Sequence, residues 1–565
     1  MRARGQLRRG ALLIAMLVAG CGRAVSTGPD TGADVFSGPV SPATVAHRPL
    51  ATSAPCGDGF VPHVLDHVTI GHDPDIHKFE SNGSGVAVGD LDADGLLDIV
   101  LANVGGPATV LWNLGGFSFE TQRLNDIETR AVALVDVDGD SRLDITFTHQ
   151  ASSVSFWRNT QAASTGGRPT FTLGGLRGVT VPAHAMAWGD LNGDGLVDLV
   201  TGSYDAELLL KLGNTFMFSS GAGVVVYTRT RDGFEGTRLS ETSQALAISL
   251  TDLNGDGRPD IHVGNDFEVV DQFWTQTDDG WQPADPFPVM THSTMGLDAG
   301  DVDNDGQLEL FASDMNPYDT GVETMTRWLP MMKELDRPRP MGDPQFNENM
   351  LFERGADGTY LNVSAERRIN ASGWSWSGEF GDLDNDGFLD LYVVNGMIDA
   401  DLFDYLPGHE LVEQNQAFRN QGDGSFMPAP EWGLGATESG RGMMIADFDN
   451  DGRLDIVVNN LRAPAMLYAN RTCGGQAVEV SLEWPAAPNT KAVGAQLALH
   501  TTAGTFYRTI GVSCGYLSGS PARVHFGLPG GARVERLEVR WPDGAVTATT
   551  EAVAGGWVTL TRQEP

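Results

Sequence analysis

A nine-residue pattern of carboxylates around a tight turn constrains this chain more than any other feature, because it occurs seven times. Position 1 is Asp90, Asp136, Asp190, Asp252, Asp301, Asp382 or Asp447, and position 3 is Asp92, Asp138, Asn192, Asn254, Asp303, Asp384 or Asp449. Position 5 is Asp94, Asp140, Asp194, Asp256, Asp305, Asp386 or Asp451, and position 9 is Asp98, Asp144, Asp198, Asp260, Glu309, Asp390 or Asp455. Successive copies start 46 to 81 residues apart, a period that belongs to repeat architectures rather than to single hairpins.

Oxygen side chains at positions 1, 3, 5 and 9 of a loop that curls at position 6 present hard ligands around one point. That set suits Ca2+, which takes six to eight oxygens. A backbone carbonyl at position 7 completes it, contributed by Leu96, Arg142, Leu196, Arg258, Gln307, Phe388 or Arg453. The helix-loop-helix calcium hand shares positions 1, 3, 5 and 6 but closes at position 12. Here the closing acid comes three residues sooner and runs into apolar, strand-like residues such as IVLAN after Asp98 and IVVNN after Asp455, so the loop joins two strands. Asp, Asn and Gly also crowd into ordinary turns, but seven copies matched at four positions exceed what turn propensity explains. Ser141 replaces the turn glycine in the second copy, and Asn192 and Asn254 each keep an oxygen while losing a charge.

The balance of 74 acidic against 37 basic residues gives a net charge of −37. Without cations each loop would force carboxylates together at short range. An excess of this sign disfavours nucleic acid as a partner and an anionic membrane surface as a direct ligand.

From Phe60 to about Tyr468 each unit repeats an apolar strand, the acidic loop, a second apolar strand and one or two more. Four short strands per unit in seven units argue for an all-β, seven-bladed propeller over residues 59–472. The seventh unit lacks room for a fourth strand, and FVPHVLDHVTI at Phe60–Ile70 is expected to supply it and close the ring. From Cys473 the acidic loops stop, and alternating segments such as AVEVSLEW and VERLEVRW predict a small β-sandwich-like domain over residues 473–565. Its Arg508, Arg523, Arg533, Arg536 and Arg540 are expected to favour docking on the acidic rim.

Residues 1–20 have the arginine-rich start and apolar run of a secretory signal, too short to span a bilayer comfortably. Leu17-Val-Ala-Gly-Cys21 resembles the bacterial lipobox, which implies acylation of Cys21 and a lipid-anchored, exported protein. Residues 21–58 are rich in Gly, Ser, Thr and Pro and read as a flexible tether. Cys56 and Cys473 flank the two ends of the ring, which favours a disulfide between them; a Cys473–Cys514 bridge and free thiols are the alternatives. The longest interval holds an insertion that reads as an amphipathic helix in Val322–Pro340, broken at Pro330. Its Trp328, Met331 and Met332 are expected to cover an apolar blade edge, and Trp374 and Trp376 to be core. His63, His67, His72 and His77 match no metal spacing.

The acidic loops resemble the FG-GAP/VCBS calcium repeats of integrin α-subunit propellers. The run from VGAQLALHTTAG through HFGL (His525–Leu528) and VRWPDG (Val539–Gly544) resembles the ASPIC/UnbV domain. The combination is similar to bacterial relatives of the cartilage acidic protein family. The pattern is broken by Ser141, and by Cys514 where Gly or Ser is expected. The resemblance specifies architecture rather than activity; the loops themselves are expected to hold up to seven structural Ca2+ ions, in a binding or adhesion scaffold at the cell envelope with a protein or glycan ligand, rather than an enzyme. The alternative is a carbohydrate-active enzyme of lyase or dehydratase type built on a similar propeller; metal storage or sensing is a third reading.

Overall fold

The computed structural model describes residues 34–563 apart from 58, 161–166, 214–221, 268, 336–340 and 356. The expected signal segment and Cys21 lie outside the described residues.

Among the described residues the chain is almost wholly β. Seven sheets of four or five strands follow one another along the sequence, from Val86–Gly89, Asp98–Leu101, Thr109–Asn113 and Phe119–Arg123 to Gly440–Ala446, Asp455–Asn460 and Pro464–Asn470. Neighbours within each sheet are antiparallel, as short connections require. The first strand of each sheet packs against the first strand of the next, and that of the seventh returns to the first, giving a closed, propeller-like ring. These inner strands are buried on both faces, which is why they read as apolar runs such as Val86–Gly89 and Ala185–Gly189 rather than as alternating patterns. The seventh sheet takes its outer strand from the start of the chain: Phe60–Val68 pairs with Pro464–Asn470, with Phe60 opposite Asn470. Beside that junction Cys56 and Cys473 form a disulfide.

After the ring, two four-stranded sheets enclose a separate apolar core that includes Val480, Leu497, Phe526, Leu537 and Trp541. One sheet runs in the order Ala43–Pro49, Gly556–Arg562, Gln476–Glu483 and Arg523–Leu528. The other runs in the order Gly504–Thr509, Gln496–Thr501, Val534–Arg540 and Val546–Thr549. The outer strand of the first sheet corrects the expectation of a tether throughout 21–58. Ala43–Pro49 pairs in full register with Gly556–Arg562, and Leu50–Ala54 then crosses the seventh acidic loop, with Ala51 N–H donating to Asn450 O at 2.7 Å and Arg453 Nη2 to Ala54 O at 3.2 Å. Composition misled because an edge strand needs few apolar residues once a partner strand supplies the ladder.

The insertion carries a second correction. Helix Val322–Leu335 continues through Pro330. A proline at that depth removes a helical hydrogen bond, but Trp328 is anchored: its Nε1 donates to Glu413 Oε1 at 3.0 Å and its ring lies 5.9 Å from that of Trp374. Trp328 and Met331 are buried as expected, whereas Met332 is 40% exposed. Trp374 and Trp376 are buried.

Candidate metal centres

The closing acid is the first residue of the second strand in all seven sheets. The local fold follows from its two oxygens. One oxygen of Asp98 accepts Leu91 N–H at 3.0 Å, drawing the loop closed; the other accepts Asn113 N–H, from the third strand, at 2.9 Å. The first bond recurs in every copy. The position-1 carboxylate holds the turn: Asp90 accepts the N–H groups of Asp94 and Gly95 at 3.0 and 2.9 Å, and Asp382 those of Asp386 and Gly387 at 3.0 and 2.8 Å. The position-5 carboxylate accepts the N–H of position 7 in all seven loops, fixing the backbone at Leu96, Arg142, Leu196, Arg258, Gln307, Phe388 and Arg453. The side chains of Arg142, Arg258 and Arg453 fold back on Asp140, Asp256 and Asp451.

Position 3 is different. In the five loops with Asp there, Oδ1 of Asp92, Asp138, Asp303, Asp384 and Asp449 is buried without a hydrogen-bond partner. In the same five, Oδ2 is held by a guanidinium: Arg168 at 2.5 Å, Arg158 at 2.5 Å, Arg367 at 3.5 Å, Arg419 at 3.0 Å and Arg471 at 3.8 Å. A buried carboxylate oxygen left without a donor is costly. The same five loops bring three carboxylates within 4.8 Å of one another: Asp90, Asp92 and Asp94; Asp136, Asp138 and Asp144; Asp301, Asp303 and Glu309; Asp382, Asp384 and Asp390; Asp447, Asp449 and Asp455. Such a set fits a hard divalent cation such as Ca2+, with position 3 supplying the uncommitted oxygen. In the third and fourth loops Asn192 and Asn254 turn their oxygens to the N–H groups of Asp194 and Asp256.

Burial dominates the proton affinities. Desolvation raises Asp98 and Asp382 to about 8, Asp144 and Asp301 to about 7 and Glu309 to about 9, with neighbouring carboxylates adding to the shift and backbone N–H groups opposing it. These acids hold protons near neutral pH unless a cation replaces them.

Two sets of residues connect the loops, and neither is apparent from the acidic pattern. Asn113, Asn159, Asn420 and Asn470 each place a side-chain N–H on the position-2 carbonyl of a neighbouring loop: Phe448, Leu91, Val302 and Leu383 respectively, at 2.7–3.1 Å. Their signal in the sequence is a fixed offset, with Asn 15 residues after the closing acid in three copies and 30 in the fourth. At position 4, Asn304, Asn385 and Asn450 reach Gly387 O, Gly452 O and Gly95 O at 3.1, 2.9 and 2.9 Å, linking loops five, six, seven and one. Gly139, Gly193 and Gly255 occupy that position in loops two to four and carry no such arm.

The C-terminal sheets lie across the acidic loops. Arg523 donates to Asp447 O and Asn450 Oδ1, Arg508 lies in the field of Asp301 and Asp382, and Arg540 packs over Gly257. Arg536 instead pairs with Glu538 of its own domain, and Arg533 is exposed. The approach is close enough that a Cβ at Gly527 would fall 1.9 Å from Asp382 Oδ2. Residues 513–519 enter the middle of the ring. Gly515 exchanges backbone hydrogen bonds with Leu297 at 2.8 and 3.2 Å, Val132 N–H donates to Leu517 O at 3.2 Å, and Gly519 bonds Val86 and Val88 at 2.9 and 3.0 Å. The Tyr516 ring sits 4.9 Å from that of Trp376. Cys514 is a free thiol, and burial, with nearby Glu379 and Asp298 adding to it, pushes it well above the usual thiol range.

Comparison with known proteins agrees with this organisation. A model described as an FG-GAP-like repeat matches residues 90–147, 136–201, 252–312, 342–393 and 404–458, and one described as ASPIC and UnbV matches residues 485–565. The chain is therefore a protein of FG-GAP-like repeats followed by an ASPIC and UnbV domain. It is similar to cartilage acidic protein 1 of Mus musculus, 24% identical over 526 residues that span 83% of this chain and 72% of that protein. Among solved structures, it is similar to BBS1N from its complex with ARL6DN, soaked with lead (TM-score 0.38, 9% identity, 71% of this chain and 96% of that one). It is also similar to a chain of the Tc holotoxin pore of Photorhabdus luminescens (TM-score 0.30, 14% identity, 81% of this chain and 16% of that one).

Proposed function

We propose that this protein is a calcium-stabilised, seven-bladed β-propeller with a C-terminal β-sandwich, serving as a binding or adhesion scaffold rather than an enzyme. In this reading it is exported and anchored to a bacterial cell envelope through a lipid on Cys21. The observation that carries the calcium part is the set of five buried, unpartnered Oδ1 atoms at position 3, each beside the carboxylates of its own loop. Ca2+ bound only to the folded form stabilises by mass action, ~2.7 kcal/mol per site at a hundredfold excess over its dissociation constant. The ions hold the ring's shape and the seating of the C-terminal sheets.

The ligand, a protein or glycan, binds on the face away from the acidic loops. Two features support that placement. The C-terminal sheets and residues 513–519 occupy the loop face and the middle of the ring. The connections on the other side carry exposed apolar residues: Leu209 and Leu210 on helix Asp205–Leu212, Val322 and Leu329 on helix Val322–Leu335, and Tyr405. Export is supported by the lipobox-like Leu17–Cys21 and by the Cys56–Cys473 disulfide, which suits an oxidising compartment.

Elemental analysis of the purified chain, with thermal unfolding before and after chelation, tests the calcium reading. Several equivalents of calcium per chain and a fall of many degrees on chelation are expected. A folded protein that carries no divalent ion and gains nothing from added Ca2+ removes the reading. Capture of envelope extracts on the calcium-loaded protein, with substitutions at Leu210 and Val322 as controls, tests the binding face.

A further inference from the structure

Each sheet of the ring ends on an outer strand, and the outward backbone groups of such an edge can pair with another chain. Most of these edges are guarded. Glu120 and Glu235 stand on Phe119–Arg123 and Gly233–Ser240, and Pro283 and Pro62 interrupt Gly280–Ala284 and Phe60–Val68. Tyr360–Asn362 and Phe426–Pro428 are only three residues long. Charge, proline and shortness are the devices that keep a strand edge from pairing. The outer strand of the second sheet, Phe171–Gly175 with sequence FTLGG, has none of them. It is exposed from Thr172 to Gly175, and Leu173 is 54% exposed.

Pairing within that sheet fixes which backbone groups are free. Phe171–Gly175 runs antiparallel to Ser155–Asn159 with Leu173 opposite Trp157, and Thr160 N–H donates to Thr170 O at 2.9 Å. Hydrogen-bonded pairs alternate along an antiparallel ladder. Thr172 and Gly174 therefore turn their N–H and C=O groups inward, while Phe171, Leu173 and Gly175 turn theirs outward. The outward set is symmetric about Leu173. A second copy of the strand, laid antiparallel across a two-fold axis at Leu173, sets Leu173 opposite its counterpart and Phe171 opposite Gly175, with two hydrogen bonds at each pair.

Side-chain bulk matches in the same register, because Phe171 and Thr172 each face a glycine. A Cβ at Gly175 would meet nothing within 4 Å and one at Gly174 nothing nearer than 3.9 Å, and neither residue has a positive φ. The fold of a single chain makes no demand for glycine at either position, whereas close approach by another backbone does. The strand carries no charged side chain, so self-pairing sets no like charges opposite each other along it.

We propose that Phe171–Gly175 is a self-pairing edge through which two copies of this chain form a two-fold dimer, joining their second four-stranded sheets into one. A contact centred on five-residue strands is small against the ~1,200–2,000 Å² of standard interfaces, so the association is weak and reversible. Two bodies of net charge −37 also repel each other, and salt screens that repulsion.

Sedimentation equilibrium of the full, calcium-saturated chain over a range of concentrations, at low and high sodium chloride, tests the proposal. A monomer–dimer equilibrium that tightens with salt is expected. Leu173→Lys sets two ammonium groups opposite each other, and Gly175→Val fills the space that Phe171 of the second copy needs. Each should weaken the dimer tenfold or more while leaving the melting temperature of the monomer unchanged, since both sites are open in the single chain. Under oxidising conditions Leu173→Cys should link two copies covalently, whereas Thr172→Cys, opposite Gly174, should not. A chain that stays monomeric at every concentration and salt, a dimer that both substitutions leave intact, or a Leu173→Cys chain that does not cross-link overturns the proposal.

Discussion

Asn470→Ala offers a quantitative test of how the loops are held together. Asn470 is 1% exposed and its side chain touches two loops at once. Its Nδ2 donates to Leu383 O of the sixth loop at 2.8 Å and to Leu454 O of the seventh at 2.9 Å, while its Oδ1 accepts Thr472 N–H at 2.8 Å and Thr472 Oγ1. On truncation Leu383 O keeps a donor, because Thr472 Oγ1 reaches it at 3.1 Å. Leu454 O and Thr472 N–H lose their side-chain partner in a place water does not reach. Each buried group left unsatisfied costs about 1–3 kcal/mol, so the variant should lose about 2–6 kcal/mol. The backbone N–H of residue 470 still serves Asp455, so the loop itself survives. Urea unfolding followed by tryptophan fluorescence, at saturating Ca2+, reads the difference. A loss below about 0.5 kcal/mol, the scale of an ordinary surface substitution, would refute the argument that this asparagine couples neighbouring loops.

Chelated protein should become less stable as pH rises from about 4 to 9, because Asp98, Asp382 and Glu309 have folded values of about 8, 8 and 9 and the folded state therefore binds more protons than the unfolded one over that window. Calcium-loaded protein should show the opposite slope below about pH 7, since the ion competes with those protons; equal slopes in urea midpoints with and without chelator would contradict the assignment. Asn385→Ala, which frees Gly452 O of the seventh loop, should lower the apparent calcium affinity of the chain several-fold, on the order of 1 kcal/mol for one bond, whereas Gly193→Ser in the unlinked third loop should leave calorimetric affinity at the sixth and seventh loops as it was. Cys473→Ser opens a bridge across 417 residues and should cost about 2–5 kcal/mol, read as a lower melting temperature that reducing agent then no longer changes.

The parts of this fold legible from the sequence were those written in local spacing. Oxygens at positions 1, 3, 5 and 9 define a loop because the hydrogen bonds that shape it, such as Asp90 to Gly95 and Asp98 to Leu91, span seven residues or fewer. The apolar runs after each closing acid then begin a strand, and the missing outer strand of the seventh sheet is met by Phe60–Val68, as expected from counting strands. What tertiary structure alone decided lies at long range. Ala43–Pro49 became a strand because Gly556–Arg562 offered it an edge, and helix Val322–Leu335 kept its course past Pro330 because Trp328 found Glu413 and Trp374. The guanidinium groups that steady position 3, the asparagines that tie loop to loop, and the insertion of residues 513–519 into the ring join residues up to hundreds of positions apart. Sequence spacing encodes bonds within one turn of chain; which distant side chain fills a buried vacancy depends on the packing of the whole ring, and that exists only once the chain has closed.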